Sequence, residues 1–310
     1  MHTGRDGKRS PVRRRTLQVV VVVLVAITSL LLADVVSGLV YRTSTAASAV
    51  VTQARSGRAD ELLVVFGGYA SDCLSISRAF EPELDDRNAM VVLCYAERGV
   101  DDDDVFRTVM QHVEDLQPES IRVLGGSLGG LVAVRFLERY RDSPQAADLG
   151  PVVLVLDTAP SSSQTVRRPQ WLFAVARWYR GGVISSAVWH LLSGLGERPD
   201  AEPDAATDVI RRGEQANASV GMPALTSQAA YLASFSSSEL ADVGDVVTSV
   251  TYLRAEHAHR DPLIDVHDAT DEWSHALPGT KVVDLPERNG AWHVPWTYRP
   301  HETLEAVLAA

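Results

Sequence analysis

The chain has 310 residues, 45% hydrophobic and 22% charged, with a net charge of −11; this composition excludes a disordered chain, a collagen-like repeat and a small disulfide scaffold. No period of about 20 to 50 residues recurs, so a solenoid or propeller is excluded too. The charge is uneven: residues 1–16 hold Arg5, Lys8, Arg9, Arg13, Arg14 and Arg15 against Asp6, a balance of +5, and the remaining 294 residues carry −16. So acidic a body repels phosphate backbones, and no nucleic-acid partner is expected.

Residues 17–33 are seventeen in a row without a charge. Continued through Val35, Val36, Leu39 and Val40, a helix rising about 1.5 Å per residue crosses a hydrocarbon core about 30 Å thick, with Asp34 near the far interface. Arg13, Arg14 and Arg15 just ahead of it predict a cytoplasmic N-terminus and an exported body. Arg14 and Arg15 open ordinary anchors and twin-arginine signals alike. A cleaved signal peptide is the competing reading, with small residues at Ala47-Ser48-Ala49, but that site stands far behind the apolar run. Either way the domain lies outside the cytoplasm, membrane-anchored or, after cleavage, secreted. The expected layout is a basic tail 1–16, an anchor or signal segment 17–41, a flexible tether 42–60 and a globular domain 61–310. The two cysteines, Cys73 and Cys94, are read either as one disulfide or as two buried thiols. Neither metal nor haem spacing is present.

From residue 61 short apolar runs alternate with segments of helical period, the pattern of a mostly parallel sheet covered by helices. Strands are expected at Glu61–Phe66, 89–95, 121–124 and 152–156, the last ending at Asp157. Between them, Leu74, Ile76, Phe80 and Leu84 mark one helix face. Val105, Val109, Val113 and Leu116 mark another, behind Asp101–Asp104. These four carboxylates suit a helix start; the glycine and later glutamate of a calcium loop are missing. Residues 128–140 form a further helix. The rhythm then stops over 160–245, with helices near 169–179, 185–195 and 222–236, which reads as a helical cap inserted above the sheet. Strands resume at 247–254 and Lys281–Leu285, and a helix over 301–308 closes the chain. Asn217-Ala218-Ser219 matches a glycosylation acceptor.

Between the third strand and its helix stands Gly125-Gly126-Ser127-Leu128-Gly129-Gly130, a Gly-x-Ser-x-Gly turn. Such a turn strains the serine backbone and exposes its hydroxyl, and glycines let neighbouring strands approach. No lysine follows, which argues against a phosphate loop. A serine hydroxyl needs a base, and His293, after the last strand, is the candidate. An acid must orient that imidazole. Asp261, beyond the strand at 247–254 and followed by Pro262, is the first choice; Asp265, Asp268 and Glu256 are the alternatives. The oxyanion of an acyl-transfer intermediate needs two donors. The amide of Leu128 is one, and that of Tyr69, in Gly67-Gly68-Tyr69-Ala70-Ser71-Asp72, is the other.

With Ser127, Asp261 and His293 in that order behind a Gly-Gly loop, residues 61–308 resemble the α/β-hydrolase superfamily. The resemblance implies a mostly parallel twisted sheet with helices on both faces, an inserted cap, and acyl transfer to water through a serine ester, with no cofactor. Two departures stand out: no His-Gly-Gly-Gly signature, and no antiparallel strands evident before Glu61, which implies a trimmed sheet.

Cap aromatics Trp171, Phe173, Trp178, Tyr179 and Trp189 read first as the cap's own core and second as a wall for an apolar acyl chain. Arg167, Arg168, Arg177 and Arg180 beside them suit lipid headgroups or a solvated face. The expected activity is hydrolysis of carboxylic esters or thioesters of small or lipid-like acyl substrates. An acyltransferase with the same three residues, and a non-catalytic binding module of the same fold, are the alternatives.

Overall fold

The computed structural model describes residues 11–40, 46–97, 99–150, 152–168, 170–179, 181–195, 222–240, 243–286, 293, 296 and 299–310. Most of the basic tail, tether residues 42–45, Arg180 and the Asn217 acceptor lie outside this set, as does the side chain of Trp189.

The N-terminal run is helix α1 (Pro11–Val40). Its segment Arg15–Val40 is long and apolar enough to cross a membrane, with mean hydropathy 2.9 over its best window. The tether expectation fails at its centre. Residues Ser48–Thr52 form strand β1, antiparallel to β3 (Asn88–Cys94), with Ser48 opposite Cys94 and Thr52 opposite Met90. The ordered domain therefore begins before Glu61, and one antiparallel strand does precede it. Ser-Ala-Val-Val-Thr has no clear alternation of its own; its order comes from backbone bonds to β3 and from Ala49 and Val51 packing on the core, both tertiary effects.

β1 and β3 belong to a seven-stranded sheet with β2 (Glu61–Phe66), β4 (Ser120–Gly126), β5 (Val152–Asp157), β6 (Val247–Ala255) and β7 (Lys281–Leu285). The order is β1-β3-β2-β4-β5-β6-β7, parallel throughout except at β1. Each strand expected from the sequence is present. Successive side chains of a strand face opposite ways, so β2 divides its residues between two cores. Leu62, Val64 and Phe66 pack with residues of α3 (Asp102–Leu116) and α4 (Leu128–Arg141), whereas Leu63 and Val65 pack with Ile76 and Phe80 of α2 (Cys73–Phe80) and Leu304 of the last helix. Each such burial is worth about 1.5–3 kcal/mol. Asp101 caps α3 by accepting the Asp104 N–H at 2.9 Å, so the acidic run is a helix start.

After the short α5 (Gln145–Leu149) and β5, the chain leaves the sheet for the cap: α6 (Gln170–Trp178), α7 (Val183–Leu195) and α8 (Met222–Ser234). α6 packs on α8, where the Arg177 guanidinium donates to the Ala233 carbonyl at 2.6 Å. Helix α9 (Val266–Ala276), unanticipated from the sequence, follows β6 and buries Trp273, whose indole N–H donates to the Ala159 carbonyl at 3.1 Å. α10 (Pro300–Leu308) closes the fold. Cys73 and Cys94 are joined as a disulfide, Cα to Cα 5.2 Å.

The parallel strands end in register, Phe66 beside Gly125, Gly126 beside Asp157 and Asp157 beside Leu253. From β2 the chain turns one way to β3 and then crosses back to β4, so the strand order reverses at the carboxyl ends of β2 and β4, the point where open α/β sheets carry their sites.

Candidate active site

Ser127 stands at that switch point, between β4 and α4, with φ 48° and ψ −121°. For a residue with a Cβ this is a strained backbone, held only where its surroundings enforce it. They do so here: the Ser127 N–H donates to the Asp157 carbonyl at 2.8 Å, and the Gly130 N–H donates to the Ser127 carbonyl at 2.9 Å. Two glycines make the turn sterically possible, since a Cβ on Gly129 would strike the Phe66 carbonyl of β2 and one on Gly125 would strike the backbone of Gly130.

Asp261 follows β6 and a single turn of 3-10 helix, Ala258–Arg260. Its Oδ1 accepts the N–H groups of Leu263 (2.7 Å) and Ile264 (2.9 Å), and the residue is fully buried. These bonds fix the carboxylate and leave Oδ2 facing His293 Nδ1 at 2.8 Å. The other ring nitrogen, Nε2, lies 3.0 Å from Ser127 Oγ. With its proton on Nδ1, the imidazole donates to Asp261 and accepts from the serine hydroxyl. The structure thus brings Ser127, His293 and Asp261 into one relay. The three alternative acids are elsewhere: Asp265 caps α9 and pairs with Arg167 at 3.3 Å, Asp268 is exposed in the first turn of α9, and Glu256 is exposed after β6.

Leu128 opens α4, so its amide belongs to the positive end of a helix. The glycine loop after β2 passes directly beside the serine: a Cβ on Gly68 would be 3.1 Å from Ser127 Cβ. Tyr69, the expected second donor, comes next in that loop. The loop is tied at each step. The Tyr95 hydroxyl donates to the Gly67 carbonyl at 2.8 Å, the Ala70 N–H donates to Gln228 Oε1 of the cap at 2.9 Å, and Asp72 caps α2 through Ser75 N–H at 2.9 Å. Ala70 holds φ 61°. Gln228 was not legible in the sequence, because its partner is a backbone group 158 positions away.

Asp157 is the second residue the sequence left without a role. It ends β5 fully buried, Oδ1 accepting from the Thr158 hydroxyl at 2.8 Å. Burial pushes its carboxyl up to about 7, opposed by Thr158 and by the nearby His293. The signal available was an acid at the end of an apolar strand next to the strand that leads to Ser127.

The same fold recurs in solved structures. The enol-lactonase from Burkholderia xenovorans LB400 superposes with a TM-score of 0.59 at 14% identity, over 85% of this chain and 96% of that one. The chain has the α/β-hydrolase fold. A carboxylesterase of the ammonia-oxidizing thaumarchaeon Nitrososphaera gargenis (TM-score 0.59, 11% identity, 85% and 93% covered) and a thermophilic esterase from Thermogutta terrifontis (0.54, 17%, 86% and 96%) are also similar. No protein-family model matches the chain, and no curated protein matches it.

Above the α/β-hydrolase sheet, the cap aromatics divide. Phe173 is buried, as a core residue would be, but Trp171 and Trp178 are 63% and 88% exposed. The reading of these two as cap core is corrected: they lie on the face of α6 turned away from α8. Ser127 itself is only 6% exposed.

Proposed function

We propose that this chain is a serine hydrolase that cleaves carboxylic esters or thioesters of small or lipid-like acyl groups, held outside the cytoplasm by α1. The observation that carries the reading is the unbroken relay from Ser127 Oγ to His293 Nε2 (3.0 Å) and from His293 Nδ1 to Asp261 Oδ2 (2.8 Å). The esterases and the lactonase of the same fold support ester chemistry. The basic residues Arg13, Arg14 and Arg15 at the start of α1 and the disulfide, a bond of oxidising compartments, support an exported domain.

In this reading His293 takes the proton of Ser127 as Oγ attacks the substrate carbonyl carbon. The tetrahedral oxyanion faces the amides of Leu128 and Tyr69. His293 then passes its proton to the departing alkoxide or thiolate, leaving an acyl-serine. A water gives a proton to His293 as its oxygen attacks the acyl carbon, and His293 returns that proton to Ser127 Oγ as the acid leaves. Asp261 keeps the proton of the resting imidazole on Nδ1 and stabilises the imidazolium between steps. No cofactor is required.

Labelling of the full chain with a fluorophosphonate, followed by mass-spectrometric location of the adduct, tests the proposal. The expected adduct is on Ser127, absent in Ser127→Ala and weakened in His293→Ala. A folded chain that takes no label even with short probes overturns it in favour of a binding module.

A further inference from the structure

Helix α1 does not stand clear of the domain. Asp34, in its last two turns, is 3% exposed, and its carboxylate accepts hydrogen bonds from the Tyr179 hydroxyl and from the N–H groups of Ile184 (2.8 Å) and Ser185 (3.0 Å), in the first turn of α7. Ser37 Oγ accepts the Val183 N–H at 2.9 Å. The backbones touch as well, since a Cβ on Gly38 would strike the Gly181 carbonyl and one on Gly182 would strike Asp34. An acid on a membrane helix needs such shielding, and a helix N-terminus supplies amides and a favourable dipole for it. The anchor is joined to the cap.

The position of the joint along the helix matters. From Arg15 to Asp34, at about 1.5 Å per residue, the helix rises about 28 Å, close to the thickness of a hydrocarbon core. With Arg15 at the inner boundary, the cap meets α1 at the outer one. There the cap carries two apolar stripes. Trp171, Val175 and Trp178 on α6 are 63%, 48% and 88% exposed, and Ile184, Val188 and Leu191 on α7 are 40%, 48% and 64% exposed. Both run at i, i+4, i+7, one side of each helix. Paired apolar stripes of this kind mark an interaction surface, and indole rings favour the membrane interface.

We propose that this face of α6 and α7 is seated in the outer leaflet of the bilayer that α1 spans, making the cap a membrane-docked roof over Ser127 whose acyl substrates arrive from the lipid. The proposal rests on α1 being a membrane span, and it names lipid as the occupant because the surface is joined to that span.

The test uses the full chain in phosphatidylcholine nanodiscs brominated at shallow acyl positions, with tryptophan fluorescence as the readout. Bromine is expected to quench the wild-type chain, and most of that quenching is expected to vanish in the Trp171→Phe/Trp178→Phe double variant. Equal quenching of both, or cross-linking of two copies through this face in place of quenching, overturns the proposal. Flotation with vesicles separates the two readings: a chain that fails to float loses the anchor and the docked cap together, whereas one that floats unquenched loses only the docked cap. Asp34→Leu gives a second arm. It is expected to float, to lose the quenching, and to hydrolyse a bilayer-dispersed long-chain ester about ten-fold more slowly while a soluble short ester is cleaved as before. Unchanged quenching and unchanged long-chain hydrolysis in this variant overturn the joint.

Discussion

Gln228, on cap helix α8, accepts the backbone N–H of Ala70 in the glycine loop at 2.9 Å, and both residues are buried. The cap therefore sets the shape of the loop that carries Tyr69. In Gln228→Ala the Ala70 N–H loses its partner without gaining water, and the loop relaxes. With one buried hydrogen bond worth about 1–1.5 kcal/mol, kcat toward a short ester is expected to fall about ten-fold with KM changed less. Steady-state kinetics on a soluble nitrophenyl ester checks this; a KM effect alone would assign Gln228 to substrate binding.

Asp261 holds its place through two backbone N–H groups, which an asparagine carbonyl oxygen can also accept. Asp261→Asn is thus expected to fold normally while presenting N–H groups to His293 Nδ1, which stabilises the wrong tautomer. Activity is expected to drop roughly 10³–10⁴-fold, by analogy with the serine proteases. Asp265→Asn and Asp268→Asn are expected to keep near wild-type kcat. A large loss in either of the latter would move the acid's role away from Asp261.

Asp157 gives a pH-dependent term in stability. Unfolded, it ionises near the ordinary carboxylate value; folded, burial keeps its proton up to about 7. Between roughly pH 4 and pH 7 the unfolded chain binds fewer protons than the folded one, so this group's contribution to stability falls as pH rises, and the loss is complete above about 7. A shift of this size corresponds to something on the order of 4 kcal/mol. Asp157→Asn removes the charge, so its Tm is expected to decline less between pH 5 and pH 8 than that of the wild type. Parallel Tm curves for the two proteins would show that Asp157 does not titrate in this window.

The disulfide closes a loop between residues 73 and 94. Chain entropy alone assigns such a loop about 3 kcal/mol. Cys73→Ser/Cys94→Ser is expected to lower the denaturant midpoint accordingly. Because Cys73 opens α2 behind the glycine loop and Cys94 precedes Tyr95, which donates to Gly67, kcat is expected to fall as well. Denaturation with and without reductant, followed by kinetics below the transition, separates the two effects.

Much of this architecture was legible beforehand, for reasons particular residues make plain. The runs at 62–66 and 152–156 are apolar throughout because parallel strands are covered on both faces, and Gly125, Ser127 and Gly129 could announce the turn because only glycine fits against Phe66 and Gly130. His293 was placed by chain order. β1 escaped notice because five residues at a sheet edge carry little periodicity, and α9 because its charged residues, Asp268, Asp271 and Glu272, mask the stripe that buries Val266, Ala269 and Trp273.

Local pattern and chemistry, then, determined the long apolar N-terminal helix, the alternation of strands and helices, the strained serine and the list of acids. Which acid meets His293, that Gln228 holds Ala70, that Asp157 is buried beside the relay, that Cys73 meets Cys94, and that Asp34 closes on α7 were decided by the tertiary structure alone. Each of these joins groups distant along the chain, and a contact across the fold leaves no period, spacing or composition in the sequence from which it could be read.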